Sequence, residues 1–206
     1  MKRKKLIIYI TLLVVSSCNQ QNTAKLEEAL KTTIKQNNCY FKLKENNNTK
    51  EIEIQSQCDN DLRLFYGKVL FDFIQNLENE KLVFNNYTIK DSNGSTIQSF
   101  TRNHFFEVKK RKILFDKLTE DVQKGQILTL YNLFTSELKN SISKEKLTSE
   151  INKLSFENNH QFEGLDVFSN TNIDYVGFSS IIGGKSRFTT TFSMEQVDSI
   201  YGFTIN

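Results

Sequence analysis

Between Leu62 and Leu77 the apolar residues are too many and too widely spread for a helix with one dry face. Leu62, Phe65, Val69, Phe73 and Leu77 recur at helical spacing, and Leu64, Leu70, Phe71 and Ile74 stand beside them. Together they cover well over half of the circumference. The helix predicted from Asp59 or Asp61 to about Asn79 must therefore be buried on more than one side, with either aspartate as its N-cap. The rest of the chain has to supply apolar partners for both flanks.

Just upstream, two alternating runs enclose a polar, Asn-rich turn at residues 45–50. Cys39, Phe41 and Leu43 share one parity, and Ile52, Ile54 and Cys58 share the other run's inward parity. This pattern predicts a hairpin. With Asn48 and Thr49 at the centre of the turn, position i pairs with 97 − i, which sets Cys39 directly opposite Cys58 at disulfide distance. A bridge there closes a short loop and stabilises by about 3 kcal/mol in the chain-entropy model. The alternative is a pair of buried thiols. No C-x-x-C spacing points to a catalytic pair.

An amphipathic helix is predicted over residues 24–36, with Leu26, Leu30 and Ile34 four apart. After the long apolar helix, strands are predicted at 82–90 and 96–106 around the turn Asp91-Ser92-Asn93-Gly94. The basic run Lys109-Lys110-Arg111-Lys112 falls at the expected junction, as a solvated strand end, with attraction to anionic lipid or glycan as the second reading. Helices are predicted at 116–134, broken near Gly125, and at 143–154 with Ser143 as N-cap. Four strands follow at 161–169, 172–182, 186–194 and 199–205, the middle pair joined by Gly183-Gly184. This order gives an α+β fold of two small lobes, each with helices packed on an antiparallel sheet. The lobes span residues 24–114 and 115–206.

The N-terminus carries an address. Lys2, Arg3, Lys4 and Lys5 precede the apolar run Leu6 to Val15. Ten residues rise only about 15 Å as a helix, half of a hydrocarbon core of roughly 30 Å, which fits a secretory h-region and not a membrane span. Val15-Ser16-Ser17-Cys18 comes next, and the whole arrangement resembles the lipobox of bacterial lipoproteins. That resemblance implies a signal at residues 1–17, acylation of Cys18 and a short lipidated tether at 18–23. It also implies a bacterial cell-envelope location and membrane lipid as a partner. Asn19 in place of Asp makes an outer-membrane address the expectation where the organism has one. Cleavage removes four cations and no acid, leaving 23 bases against 24 acids from the starting 27 and 24. The formal +3 of the full chain is thus an export signal and no footprint for nucleic acid.

In the second lobe, Gly125-Gln126, Leu130 to Phe134, Leu138-Lys139, the 143–154 helix and the closing Ile200 to Ile205 carry a further likeness. This part resembles the nuclear-transport-factor-2-like, or cystatin-like, small domains of secreted bacterial proteins. Some members of that superfamily transfer protons with a carboxylate inside an aromatic cone. On that resemblance Asp166, sharing strand parity with Phe162 and Phe168, is the candidate for a general base.

Other chemistry finds little support. Gly183-Gly184-Lys185-Ser186 lacks the first glycine of a phosphate loop, Ser179 standing there, and strand succeeds it where a helix is required. His104 and His160 are the only histidines, too few with the available cysteines for an evident metal cluster, so no metal or cofactor is expected. No nucleophile elbow accompanies the serines. The chain is therefore read as a non-enzymatic binding or interaction module for a protein or a small apolar ligand. Its expected groove is lined by Tyr131, Phe134, Phe162, Phe168, Phe188, Phe192, Tyr201 and Phe203. The alternatives are the cone-type enzyme with Asp166 and an inhibitor or immunity-type lipoprotein.

Overall fold

The computed structural model describes residues 21–46, 51–56, 63–153, 160–184, 186–196 and 199–205. The expected signal segment, Cys18, Cys58 and Lys185 lie outside these residues. Helix α1 covers residues 21–37 and is followed by β1 (Phe41–Asn46), β2 (Glu51–Ser56), α2 (Arg63–Asn79), β3 (Asn86–Lys90) and β4 (Thr96–Thr101). Next come α3 (Arg102–Gln123), α4 (Ile127–Asn132), α5 (Ser136–Ser141) and α6 (Lys144–Asn152). Strands β5 (His160–Asn170), β6 (Ile173–Ile182), β7 (Ser186–Ser193) and β8 (Ile200–Ile205) complete the chain. The α+β class holds, with two four-stranded sheets, each in sequential strand order.

The hairpin register is the one its alternation predicts. Phe41 pairs with Ser56 and Leu43 with Ile54, each pair summing to 97, so Phe41, Ile52 and Ile54 all point into the core. Cys39 is buried and disulfide-bonded.

The first sheet is not wholly antiparallel. Strands β2 and β3 run parallel, Ile54 beside Ile89, because α2 crosses between them and returns the chain in the same direction. The second sheet is an antiparallel meander.

A larger difference lies at residues 102–115. The expected strand to Phe106 stops at Thr101, whose Oγ1 accepts the His104 N–H at 3.1 Å and caps α3. Phe105, Val108, Phe115, Leu118 and Val122 then recur at helical spacing on one buried face. The basic run sits in the middle of this helix, and Arg111 occupies a core position with no exposed surface. Its Nε donates to the Ser193 carbonyl at 2.6 Å, and its Nη1 donates to Glu107 Oε2 at 2.6 Å and to the Glu107 carbonyl at 2.9 Å. A buried guanidinium is tolerable only with such partners. The expected boundary at residue 115 falls inside α3. Farther on, Ser143 caps α6 as its position predicts, accepting from the Lys146 N–H at 3.2 Å.

The two sheets share one continuous apolar core. Helix α2 buries residues such as Tyr66, Val69, Phe73 and Leu77, as its wide apolar arc requires, and lies against both β5 and the strands of the first sheet. At its crossing with β5 the backbones touch. A Cβ on Gly67 would stand 1.9 Å from the Leu165 carbonyl oxygen, and one on Gly164 would stand 2.1 Å from that of Leu64. Beside this crossing the buried Gln98 of β4 accepts the Val167 N–H at 3.4 Å, satisfying a donor on the free edge of β5. The opposite edge, β8, is covered where Ile200 exchanges bonds with Leu133 (2.7 Å) and Thr135 (3.1 Å).

Backbone-to-backbone overlap cannot be relieved by a rotamer change. Gly67→Ala and Gly164→Ala should each lose on the order of 3 kcal/mol in urea titration. Gly94→Ala, in open space at φ +87°, should lose only about 1 kcal/mol. Equal, small losses at all three would contradict the close crossing.

Candidate functional site

The eight aromatic residues expected to line one groove divide between two faces of the second sheet. Phe134, Phe188 and Phe192 are core, and Tyr131, Phe162 and Phe203 pack against it. Phe115 of α3 lies at the centre, stacked on Phe178 (5.2 Å between ring centroids) and Phe188 (5.6 Å). A chain of ring contacts runs on from Phe188 through Phe203 and Phe134 to Tyr131. These rings fill the space that an aromatic groove would need. Phe168 and Tyr201 are exposed on the other face, each against Tyr175.

Asp166 is separated from Phe162 by a bulge. Phe162 pairs with Ser180 but Gly164 with Ser179, so Glu163 is an extra residue that reverses the parity of the strand beyond it. Phe162 therefore joins Leu165 on the core side, while Asp166 turns outward with Phe168. Its carboxylate accepts from Arg63 Nε at 3.2 and 3.3 Å, from Arg63 Nη2 at 3.2 Å and from the Gln98 amide. Arg63, Gln98 and Asp166 thus tie the start of α2 to both sheets.

Neither histidine stands where its sequence neighbours would put it to use. His160 is exposed at the start of β5. His104, in the first turn of α3, brings Nε2 to 3.0 Å from Asp174 Oδ2, and the same carboxylate accepts from the Ser169 hydroxyl. Sequence spacing of 70 residues conceals this pairing. Among the described residues no group of three or more His, Cys, Asp or Glu is placed to hold a metal ion. Gly183 and Gly184 form the turn between β6 and β7, both with positive φ.

A cleft of about 310 Å³ opens between the end of α1, the start of α2 and strands β5 and β7. Gln36, Asn37 and Lys68 line one side, Gln161, Glu163 and Arg187 the other, and Leu64, Phe65 and Phe162 form the apolar part. Both charged clusters are pre-organised. Lys68 Nζ donates to Asn37 Oδ1 at 2.6 Å and to Asp72 Oδ2 at 2.9 Å. Arg187 grips Glu163 through Nε and Nη2 at 2.7 and 2.8 Å, and the Ser179 hydroxyl donates to the same carboxylate at 2.7 Å. The Arg187 guanidinium holds the Glu163 carboxyl below the usual glutamate range, against partial burial and with help from Ser179. Such a cleft offers fixed donors and acceptors around an apolar floor, the usual make-up of a small binding site. Of its residues, only Phe162 belongs to the groove expected from the sequence, while Leu64 and Phe65 are expected as apolar positions of the long helix. The bulge places Glu163 in reach of Arg187, and no local motif announces it.

Because the folded-state pKa of Glu163 is depressed, its ionised pair with Arg187 stabilises the fold above the ordinary glutamate range. That contribution fades as pH falls through the depressed value. Arg187→Gln should lower stability at neutral pH by up to about 1 kcal/mol, given the half-exposed guanidinium. The variant and the parent should converge in buffer acid enough to protonate Glu163. An equal deficit at both pH values in urea titrations would contradict this role.

No protein-family model, no curated protein and no solved structure matches this chain.

Proposed function

We propose that the chain is an envelope lipoprotein, anchored through acylated Cys18, whose folded body is a non-enzymatic binding module. The cleft between α1, α2 and the second sheet is the observation that carries the binding reading. Its occupant presents an apolar group to Phe65 and Phe162 and a polar or charged group to Lys68, Glu163 or Arg187. A segment of an envelope protein partner meets both demands.

Two features favour binding over proton transfer. Asp166 is held by Arg63 and Gln98 on a face away from the aromatic core, which suits an architectural carboxylate better than a base waiting for a proton. The rings of the second sheet pack on Phe115 where a cone-type enzyme would keep its cavity. The succession of helices followed by a four-stranded meander in residues 102–205 supports a cystatin-like reading of this half. The anchor reading rests on the basic, apolar and small-residue order that ends at Cys18.

Site-specific photo-crosslinking in native envelopes tests both parts. A photoreactive residue at Gln161, on the cleft rim, should join the chain to one defined envelope protein, and one at Thr204 should not. Cys18→Ser should leave a larger, unacylated precursor. Identical products from both crosslinking positions would refute the cleft, and normal processing of the serine variant would refute the anchor.

A further inference from the structure

Helix α3 has an outward face that the cleft does not use. Its core-facing residues, from Phe105 to Val122, point into the protein. Diametrically opposite, Arg102, Phe106, Lys110, Ile113 and Lys117 fall on one stripe at spacings of three and four residues, and all five are exposed. Two of them are large apolar side chains left in water: Phe106 is 38 % exposed and Ile113 is 68 % exposed. Lys109 and Lys124 flank the stripe, Glu120 lies on it, and Glu107 and Asp121 border it. Residues 102 to 117 span about 23 Å of helix.

We propose that this face of α3 docks on an anionic lipid bilayer, with the helix axis parallel to the surface. Cations and apolar groups alternate along the stripe, so headgroup contacts and acyl contacts can be made side by side. The Phe106 ring and the Ile113 side chain enter the acyl boundary, while the flanking cations extend to phosphate headgroups. Arg102 already lies over the Phe106 ring, 5.4 Å from its centroid, so its charge stands at the level of the headgroups when the ring is buried. The cations are free to turn toward lipid. Arg102 and Lys117 make no ion pair among the described residues, and Lys109 and Lys124 reach their glutamates only at 3.8 and 3.7 Å. Lys110 pairs with Glu107 at 2.7 Å but keeps more than half of its side chain exposed. A soluble polyanion would neutralise the cations yet leave Ile113 in water; a bilayer covers both.

The chain contains no tryptophan, so a single introduced indole reports its own surroundings. Phe106→Trp and Ile113→Trp place it on the stripe. Tyr201→Trp places it on the sheet face turned away from α3 and serves as control. The full chain is mixed with vesicles of phosphatidylglycerol or of phosphatidylcholine. These reporters sit on α3, so their signal does not depend on an acyl anchor at Cys18. Emission at positions 106 and 113 should shift to the blue and be quenched by brominated acyl chains in phosphatidylglycerol only, with position 201 unchanged. Adding Lys110→Glu and Lys117→Glu to Phe106→Trp should weaken this response at least about tenfold. Unchanged emission at both stripe positions would overturn the proposal, as would an equal response at position 201. Binding that depends on the lysines without burying either indole would also overturn it, assigning the stripe to a water-borne polyanion.

Discussion

Two backbones can meet only where neither carries a Cβ at the point of contact, and the crossing of α2 over β5 meets that condition twice. Gly67 lies on the Leu165 carbonyl and Gly164 on that of Leu64, a reciprocal arrangement that brings helix and strand closer than side-chain packing allows. The rest of the architecture depends on this proximity. With α2 so close to β5, Gln98 can satisfy the strand's free edge and Arg63 can reach Asp166. The same helix lies against the first sheet, so the two sheets share a core instead of each closing its own.

The second consequence concerns the aromatic residues. Seventeen phenylalanines in 206 residues invite the idea of a ring-lined pocket, but α3 delivers Phe115 into the middle of the sheet face that would form it. Each stacked or edge-to-face pair there adds about 0.5–1.5 kcal/mol beyond burial. The surfaces proposed for recognition lie at the margins: the mixed cleft beside α1 and the outer stripe of α3. The buried Arg111 belongs to the same arrangement, since its bonds to Glu107 and Ser193 hold the middle of α3 to the end of β7.

Much of the fold was legible because period and parity are local. The 97 − i register of the cysteine hairpin comes from alternation on both sides of an Asn-rich turn, and the meander from four alternating runs. Helix α3 was hidden for a definite reason. Arg111 stands where its apolar period demands a hydrophobic residue, so the run Lys109 to Lys112 reads as a polar boundary. The single extra residue Glu163 had a similar effect on the site, inverting the face of Asp166 relative to Phe162. The glycine crossing and the pairs Arg63–Asp166 and His104–Asp174 join residues 70 or more positions apart or depend on backbone approach, and no spacing rule carries that information. Of the cleft, the sequence offered Phe162 as a groove residue and Leu64 and Phe65 only as apolar positions of a helix.

The α2–β5 crossing is the joint that couples the two sheets. Native-state hydrogen exchange followed residue by residue measures that coupling directly. The slowest amides of β2 and β3 and those of β6 and β7 should exchange through the same global opening, with matching free energies and matching denaturant dependence. If the amides of one sheet open through a separate, less costly event while those of the other remain protected, the crossing does not couple the sheets.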